Sequence, residues 1–278
     1  MTIHTKHVFT DIDGTMYDHG YVPPSTVSAL RAAKANGHKI YICTGRPVGA
    51  IPAEIADIID YNGLICSSGS YIELDKQIFL DYFFPEDLVI AMVALFRRYP
   101  VLFTLETNYA VFYSDPAVNA NEGLGLPIYE FSEQLLHDQS FHKAFIYHHG
   151  QFWPETNKIC VYSADDPQLL HKVSDQLPHD NVLATAVMRL KSGWYLEVLP
   201  RNISKSSALN YLVTNHKIPY GSTIAIGDSM NDYEVVKYAE IGVAMGNGDD
   251  RLKEVADLIT TDLHNDGYAK AFKELELI

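Results

Sequence analysis

Phe9-Thr10-Asp11-Ile12-Asp13-Gly14-Thr15 is the stretch on which the reading of this 278-residue chain turns. The run His7-Val8-Phe9 leading into it reads as a short buried strand, and Gly14-Thr15 suits a sharp turn out of that strand. A strand that ends in acidic residues projects them at the carboxyl edge of a sheet, where open α/β folds bind their ligands. Two carboxyl groups two positions apart can hold a hard divalent cation there, and one of them can attack an electrophile.

Outward from this stretch the chain alternates in the βαβ manner. Ser25 to Asn36 reads as a helix, with Pro23-Pro24 before it and Gly37 as its stop. Lys39 to Cys43 reads as a second strand, followed by a helical stretch through Asp60, and Leu64 to Cys66 as a third. Tyr71 to Phe84 alternates around Asp75-Lys76 as a hairpin. From about Phe83 to Leu190 the texture changes. A hairpin is expected from Val101–Leu105 and Tyr109–Tyr113, strands at Lys143–Tyr147 and Lys158–Tyr162, and a helix from Pro167 to Leu177, without a helix between each pair of strands. Alternation resumes at Tyr195–Leu199. After it come a helix from Ser204, a strand Thr223–Ile226, a helix Met230–Ala239, a strand Gly242–Met245 and a helix from Asp249. The expected fold is therefore α/β. A Rossmann-like, three-layer core with a parallel sheet uses residues 1–82 and 191–278, and residues 83–190 form an inserted α+β cap. A cleft between core and cap is the default ligand site.

Three further clusters follow core strands. Thr44-Gly45-Arg46 combines a hydroxyl with backbone N–H groups at a helix start, which makes a neutral anion cradle; taken alone it equally suits a structural turn. Lys205 falls in the first turn of the helix capped by Ser204, where a cation opposes the helix dipole and so suggests a task such as neutralising phosphate. A solvated lysine is the plainer reading of that residue by itself. Gly227-Asp228-Ser229-Met230-Asn231-Asp232 again delivers acids to the sheet edge, with Asp228 and Asp232 four apart across a turn. Read singly, Asp232 is an ordinary helix-start acid. Four such clusters after successive strands of one sheet make coincidence a poor account.

Composition narrows the partners. A net charge of −14 argues against a nucleic-acid or anionic-membrane surface. No apolar run approaches the roughly 20 residues that span a bilayer. No basic-then-apolar leader opens the chain, and Cys43, Cys66 and Cys160 are unclustered thiols, so a cytoplasmic location is expected. The segment 83–190 holds six Lys or Arg against thirteen Asp or Glu, which favours a neutral, hydroxylated ligand there. His148-His149 lacks the cysteine partners or helical spacing of a metal site. The aromatics Phe103, Tyr109, Phe112, Tyr113, Phe152 and Trp153 read as hairpin and core packing.

With these residues in hand the chain resembles the haloacid dehalogenase superfamily, and within it the Cof-like sugar phosphatases. The matching motifs are Asp11-x-Asp13-Gly14-Thr15, Thr44-Gly45-Arg46, Lys205 and Gly227-Asp228-Ser229-Met230-Asn231-Asp232, with Val243-Ala244-Met245-Gly246-Asn247 and Asn265-Asp266-Gly267 also fitting. The inserted segment matches only in position and texture. Ser67-Ser68-Gly69-Ser70 stands where members often have Asn-Gly-Ala, and Asn202 where Gly is common. The resemblance implies a Mg²⁺-dependent phosphatase acting on a small phosphorylated metabolite, a sugar phosphate first, with flavin mononucleotide or pyridoxal phosphate as other candidates. Asp11 is then the nucleophile that becomes an aspartyl-phosphate, and Asp13 the acid and later the base. Asp11, the Asp13 carbonyl and Asp228 hold the ion, with Asp232 behind them. Thr44, Gly45, Lys205 and Asn231 grip the phosphoryl group, and Arg46 is either a phosphate contact or a structural ion pair. The expected assembly is a monomer or homodimer. Two rival readings are a phosphosugar mutase on the same core, which needs clustered basic residues in the cap, and a non-catalytic phosphosugar-binding protein.

Overall fold

The computed structural model describes residues 4–58, 60–108, 110–114, 128–130, 145–148, 151–185, 187–190 and 193–278. The chain divides into two compact units, one of residues 1–46, 51–80 and 204–278, the other of residues 47–50 and 81–203.

The first unit opens with β1 (His7–Thr10), α1 (Pro24–Ala35), β2 (Lys39–Cys43), α2 (Ala53–Ile58), β3 (Gly63–Cys66), β4 (Tyr71–Leu74) and β5 (Gln77–Asp81). In the second follow α3 (Glu86–Phe96), β6 (Leu102–Glu106), β7 (Ala110–Tyr113), β8 (Ile128–Glu130), β9 (Phe145–His148), β10 (Gln151–Pro154), β11 (Lys158–Ser163), α4 (Pro167–Ser174), β12 (Val182–Ala184), β13 (Met188–Leu190) and β14 (Gly193–Pro200). The chain then closes the first unit with α5 (Lys205–Asn215), β15 (Thr223–Gly227), α6 (Tyr233–Tyr238), β16 (Ile241–Ala244), α7 (Asp250–Lys253), β17 (Leu258–Ile259) and α8 (Gly267–Glu274).

The first unit is built on one sheet of order β17-β16-β15-β1-β2-β3-β4-β5. From β17 to β3 every pair is parallel, while β4 runs antiparallel to β3. The inner strands are buried along nearly their whole length, as they must be when helices cover both faces. On one face Phe9, Tyr41, Cys43, Ile65, Ala225 and Ala244 meet Ala208, Leu209 and Leu212 of α5 and Val235 and Val236 of α6. Asp75 and Lys76 adopt φ of 47° and 65° in the two-residue link from β4 to β5. That is the left-handed pair a tight hairpin turn demands, at the position the sequence suggests.

The second unit is antiparallel, as expected of the α+β segment. Its main sheet has order β12-β14-β11-β6-β7-β8, with β13 also pairing β14, and β9 and β10 form a separate hairpin. Phe103 and Leu105, Ile159 and Val161, and Leu196 and Val198 point from alternate positions into one core. That core is closed by Val89, Met92, Val93 and Phe96, the i, i+3, i+4, i+7 stripe of α3, and by Leu170 and Val173 of α4. Phe112 and Trp153 are buried in it too, which agrees with the packing reading of these aromatics.

Two boundaries differ from expectation. Strand β14, read as the resumption of the core, lies in the second sheet between β11 and β12. Glu197 is buried between Leu196 and Val198 and pairs with Lys158 of β11 at 3.1 Å, a partner on the second sheet. The core therefore resumes at residue 204, not 191. The helical stretch after β2 is also broken: residues 48–50 form a single 3-10 turn, whose Gly49 N–H donates to the Asn108 carbonyl at 2.7 Å, and α2 is a separate six-residue helix. Pro47 and Pro52 lack the N–H that a continuous helix needs. Tyr109, Lys143 and His149 lie outside the described residues.

Candidate active site

The parallel register sets the site. β1 is hydrogen-bonded between β15 and β2, so the residues that follow these three strands emerge side by side. The Asp11 N–H donates to the Ile226 carbonyl at 3.0 Å, which carries the β1–β15 pairing to the start of the acidic loop. Asp11 and Asp13 follow β1, Thr44 to Arg46 follow β2, and Asp228 to Asp232 follow β15.

Lys205, the first residue of α5, brings the acids together. Its Nζ donates to Asp11 Oδ1 at 2.8 Å, to Asp232 Oδ1 at 2.6 Å and, more weakly, to Asn231 Oδ1 at 3.4 Å. The lysine side chain is 1% exposed. Burial alone would lower its pKa, but the Asp11 and Asp232 carboxylates outweigh that and hold the ammonium above its ordinary value. Its helix start is secured by Ser204, whose hydroxyl accepts from the Ser207 N–H while Ser207 Oγ accepts from the Ser204 N–H. Gly69 makes this approach possible: at φ +108°, a Cβ there would stand 2.3 Å from the Ser204 carbonyl oxygen.

The carboxylates of Asp11, Asp228 and Asp232 lie within 4.8 Å of one another. Burial, then repulsion from Asp232, pushes the Asp11 carboxyl up to about 7 despite Lys205. Burial, then Asp11 and Asp232, pushes Asp228 up to about 8. Asp232 itself is engaged on both oxygens: Oδ1 accepts from Lys205, and Oδ2 from the N–H groups of Asp228 at 3.1 Å and Ser229 at 3.2 Å. It shapes the loop and anchors the lysine. Thr15 Oγ1 donates to Asp228 Oδ1 at 3.3 Å, a contact between the first and last motifs that sequence spacing could not supply. Gly14, at φ +72°, lies so close that a Cβ would stand 2.1 Å from Asp228 Oδ2.

An all-oxygen set short of positive charge is what a hard dication fits. Three carboxylates converge, one buried ammonium answers two of them, and Asp11 and Asp228 are held toward the neutral form by burial and then by repulsion from their neighbours. Among the described residues no histidine or thiolate joins the group, and burial pushes the Cys43 thiol up to about 12. Mg²⁺ suits such donors better than zinc.

Asp13 stands apart from this cluster. Its two carboxylate oxygens accept from Arg46 Nη2 at 2.7 Å and Nε at 2.6 Å, a bidentate pair on the half-exposed side of the site. Of the two readings of Arg46, the structure shows the ion pair. The hydrogen bonds to Asp13 raise the guanidinium above its ordinary pKa, and it also lies 5.8 Å from the centre of the Tyr17 ring. Thr44 is buried; its Oγ1 accepts from the Arg46 N–H at 3.1 Å and so shapes the loop that contains Gly45. Asn231 Oδ1 accepts from Ser229 Oγ at 2.7 Å as well as from Lys205.

A carboxylate at the sheet edge, braced by a buried lysine beside a cation-ready acidic cluster on an α/β core, defines a class: the phosphoryl-transfer hydrolases of this topology. The model for haloacid dehalogenase-like hydrolases matches residues 8–272, and the chain belongs to that family. It is a phosphatase of that superfamily, a hydrolase acting on phosphate esters. Among its relatives are two Bacillus subtilis proteins named "Putative phosphatase YkrA" and "Putative phosphatase YxeH". The first is 26% identical, with 99% of each chain covered, and the second 28% identical, with 98% of each covered. Among solved structures, the subclass IIB sugar phosphatase BT4131 superposes with a TM-score of 0.75 over 99% of this chain and all of its own, at 24% identity. Among the described residues no helix is long and apolar enough to cross a membrane, and Cys43, Cys66 and Cys160 are free, buried thiols.

Proposed function

We propose that the protein is a Mg²⁺-dependent phosphomonoesterase acting on a small phosphorylated metabolite, a sugar phosphate first, through an aspartyl-phosphate on Asp11. The observation that carries this reading is the buried Lys205 ammonium 2.8 Å from Asp11 within the Asp228 and Asp232 cluster. A carboxylate nucleophile and a phosphate dianion repel each other, so a site for their reaction must supply positive charge at both. Held by the Asp11 and Asp228 carboxylates and the Asp13 carbonyl, Mg²⁺ would neutralise charge on the phosphoryl oxygens.

Lys205 engages Asp11 Oδ1, which leaves Oδ2 to attack phosphorus. The P–O bond to the leaving alcohol breaks as Asp13 gives it a proton. Asp13 then takes a proton from water, the water oxygen attacks phosphorus, and the Asp11–phosphorus bond breaks to release inorganic phosphate. Because Arg46 holds both Asp13 oxygens, the acid step requires that pair to open or to shift onto one oxygen. Thr44, the Gly45 amide, Lys205 and Asn231 are the proposed donors to the transferring group.

The hydroxylated substrate class is supported by the acidic balance of residues 83–190. It is supported too by Lys158, whose Nζ lies 3.1 Å from both Glu106 Oε2 and Glu197 Oε1 and so is already neutralised. Arg97 and Arg98 follow the end of α3 and do not lie on its buried stripe. Neither arrangement favours the second phosphate site that a mutase needs. The presence of Asp11, Asp13, Lys205 and Asp228 together speaks against a purely binding role. The test is turnover of p-nitrophenyl phosphate and of a panel of sugar phosphates, flavin mononucleotide and pyridoxal phosphate with Mg²⁺. Asp11→Asn abolishes turnover with the fold intact, and EDTA abolishes it in the wild type; activity surviving either change refutes the mechanism.

A further inference from the structure

Asn247, in the turn after β16, ties together three segments that are far apart in sequence. Its Nδ2 donates to the Gly14 carbonyl at 2.8 Å, and its Oδ1 accepts from the Leu263 N–H at 2.9 Å. Gly14 is the residue after Asp13. Its own N–H donates to the Tyr17 carbonyl at 2.9 Å, which orients the Asp13–Gly14 peptide and hence the Asp13 carbonyl. The Asn247 bond pins the next peptide, so both planes flanking Gly14 are held.

The same turn grips Asp228 by its main chain. The Asp249 N–H donates to the Asp228 carbonyl at 2.8 Å, and Gly248 packs so closely that a Cβ would stand 2.8 Å from that oxygen. One turn thus holds the backbone of Asp228 and, through one side chain, the loop that carries Asp11 and Asp13. The β1–β15 pairing and the Thr15 bond to Asp228 hold the roots of the two loops together, and the Asn247 bond adds the tie at the Gly14 carbonyl.

We infer that Asn247 is a positioning residue: its bond to Gly14 sets the spacing between the Asp11–Asp13 loop and Asp228, and so the geometry of the oxygen cluster. Its predicted effect on activity rests on the phosphatase reading above. A neutral hydrogen bond contributes on the order of a factor of ten when it acts on one state only. Both ends of its amide are engaged by backbone groups, so its loss should appear in the use of the ion and in kcat rather than in KM.

The experiment compares the full-length wild type with Asn247→Ala and Asn247→Asp. It measures kcat and KM for p-nitrophenyl phosphate, the Mg²⁺ concentration for half-maximal activation, and the rise in Tm that Mg²⁺ produces over EDTA. Asn247→Ala should lower kcat about tenfold and raise the half-activating Mg²⁺ about tenfold, with KM within about twofold. It should also reduce the Mg²⁺-induced rise in Tm. Asn247→Asp keeps the acceptor for Leu263 but cannot donate to Gly14, so it should follow the alanine variant. Wild-type Mg²⁺ dependence in either variant overturns the inference. So does a fall in the EDTA Tm that accompanies lower kcat with unchanged Mg²⁺ response, which marks Asn247 as structural only. If the wild type itself has no Mg²⁺-dependent turnover, the phosphatase reading fails, and the Tm comparison still decides the role of Asn247.

Discussion

The cluster of Asp11, Asp228 and Asp232 predicts that Asp228→Asn makes the metal-free protein more stable while destroying its function. Asp228 is pushed from 3.8 up to about 8 by burial and its carboxylate neighbours. The sign follows from proton counting. Between these two values the folded state keeps a proton that the unfolded chain has lost, so stability falls as pH rises from about 4 to 8. At about 1.4 kcal/mol for each pH unit the ceiling is about 6 kcal/mol. Asp11, raised to about 7 in the same cluster, shares the strain: protonating either acid relieves the other, so a gain of about 1–3 kcal/mol is the working figure. Asparagine keeps the shape and can still accept from Thr15. For a chain of this size the gain corresponds to a rise of about 2–5 °C in Tm. The assay is thermal denaturation in EDTA from pH 5 to 8.5. The wild type should lose stability across that range, and the variant should lose less of it. Mg²⁺ should restore the wild type at pH 8 and leave the variant nearly unchanged. A variant less stable than wild type at pH 8 in EDTA, or one with the same pH slope, refutes the electrostatic account.

Other expectations concern single positions. Gly14→Ala should abolish Mg²⁺-dependent turnover, because its Cβ would lie 2.1 Å from Asp228 Oδ2 at a backbone φ of +72°; near wild-type kcat would show that the loop can move aside. Arg46→Lys keeps the charge but loses the fork on Asp13, and should lower kcat about tenfold with a changed pH profile; an unaltered profile would remove Arg46 from the acid step. Asp166→Ala removes the N-cap that accepts from the Gln168 N–H at 2.8 Å and should destabilise α4 by about 1 kcal/mol in urea titrations.

Much of this site is written in local pattern. Asp11, Asp13, Thr44, Asp228 and Asp232 each follow a short apolar run, and a strand's end is a local property that a parallel sheet converts into a shared edge. The α3 stripe and the Asp75-Lys76 turn are legible for the same reason: periodicity and turn chemistry act over a few residues. Strand β14 was not placed by its composition, because sheet membership depends on which partner offers its hydrogen bonds. Only Glu197, breaking an otherwise apolar run, hinted that it faced the second sheet.

What the amino-acid order determined by itself was the chemistry on offer: an acid pair, a hydroxyl turn, a lysine at a helix start and a second acidic turn, each after its own strand. Tertiary structure decided which atoms meet. It set Lys205 between Asp11 and Asp232, diverted Asp13 to Arg46, pressed Gly14 against Asp228 and joined Asn247 to Gly14. These contacts span from 27 to 233 positions in the chain. Hydrogen bonding and charge pairing act over a few ångströms, and no local signal records which distant residue will occupy that space once the sheet has closed.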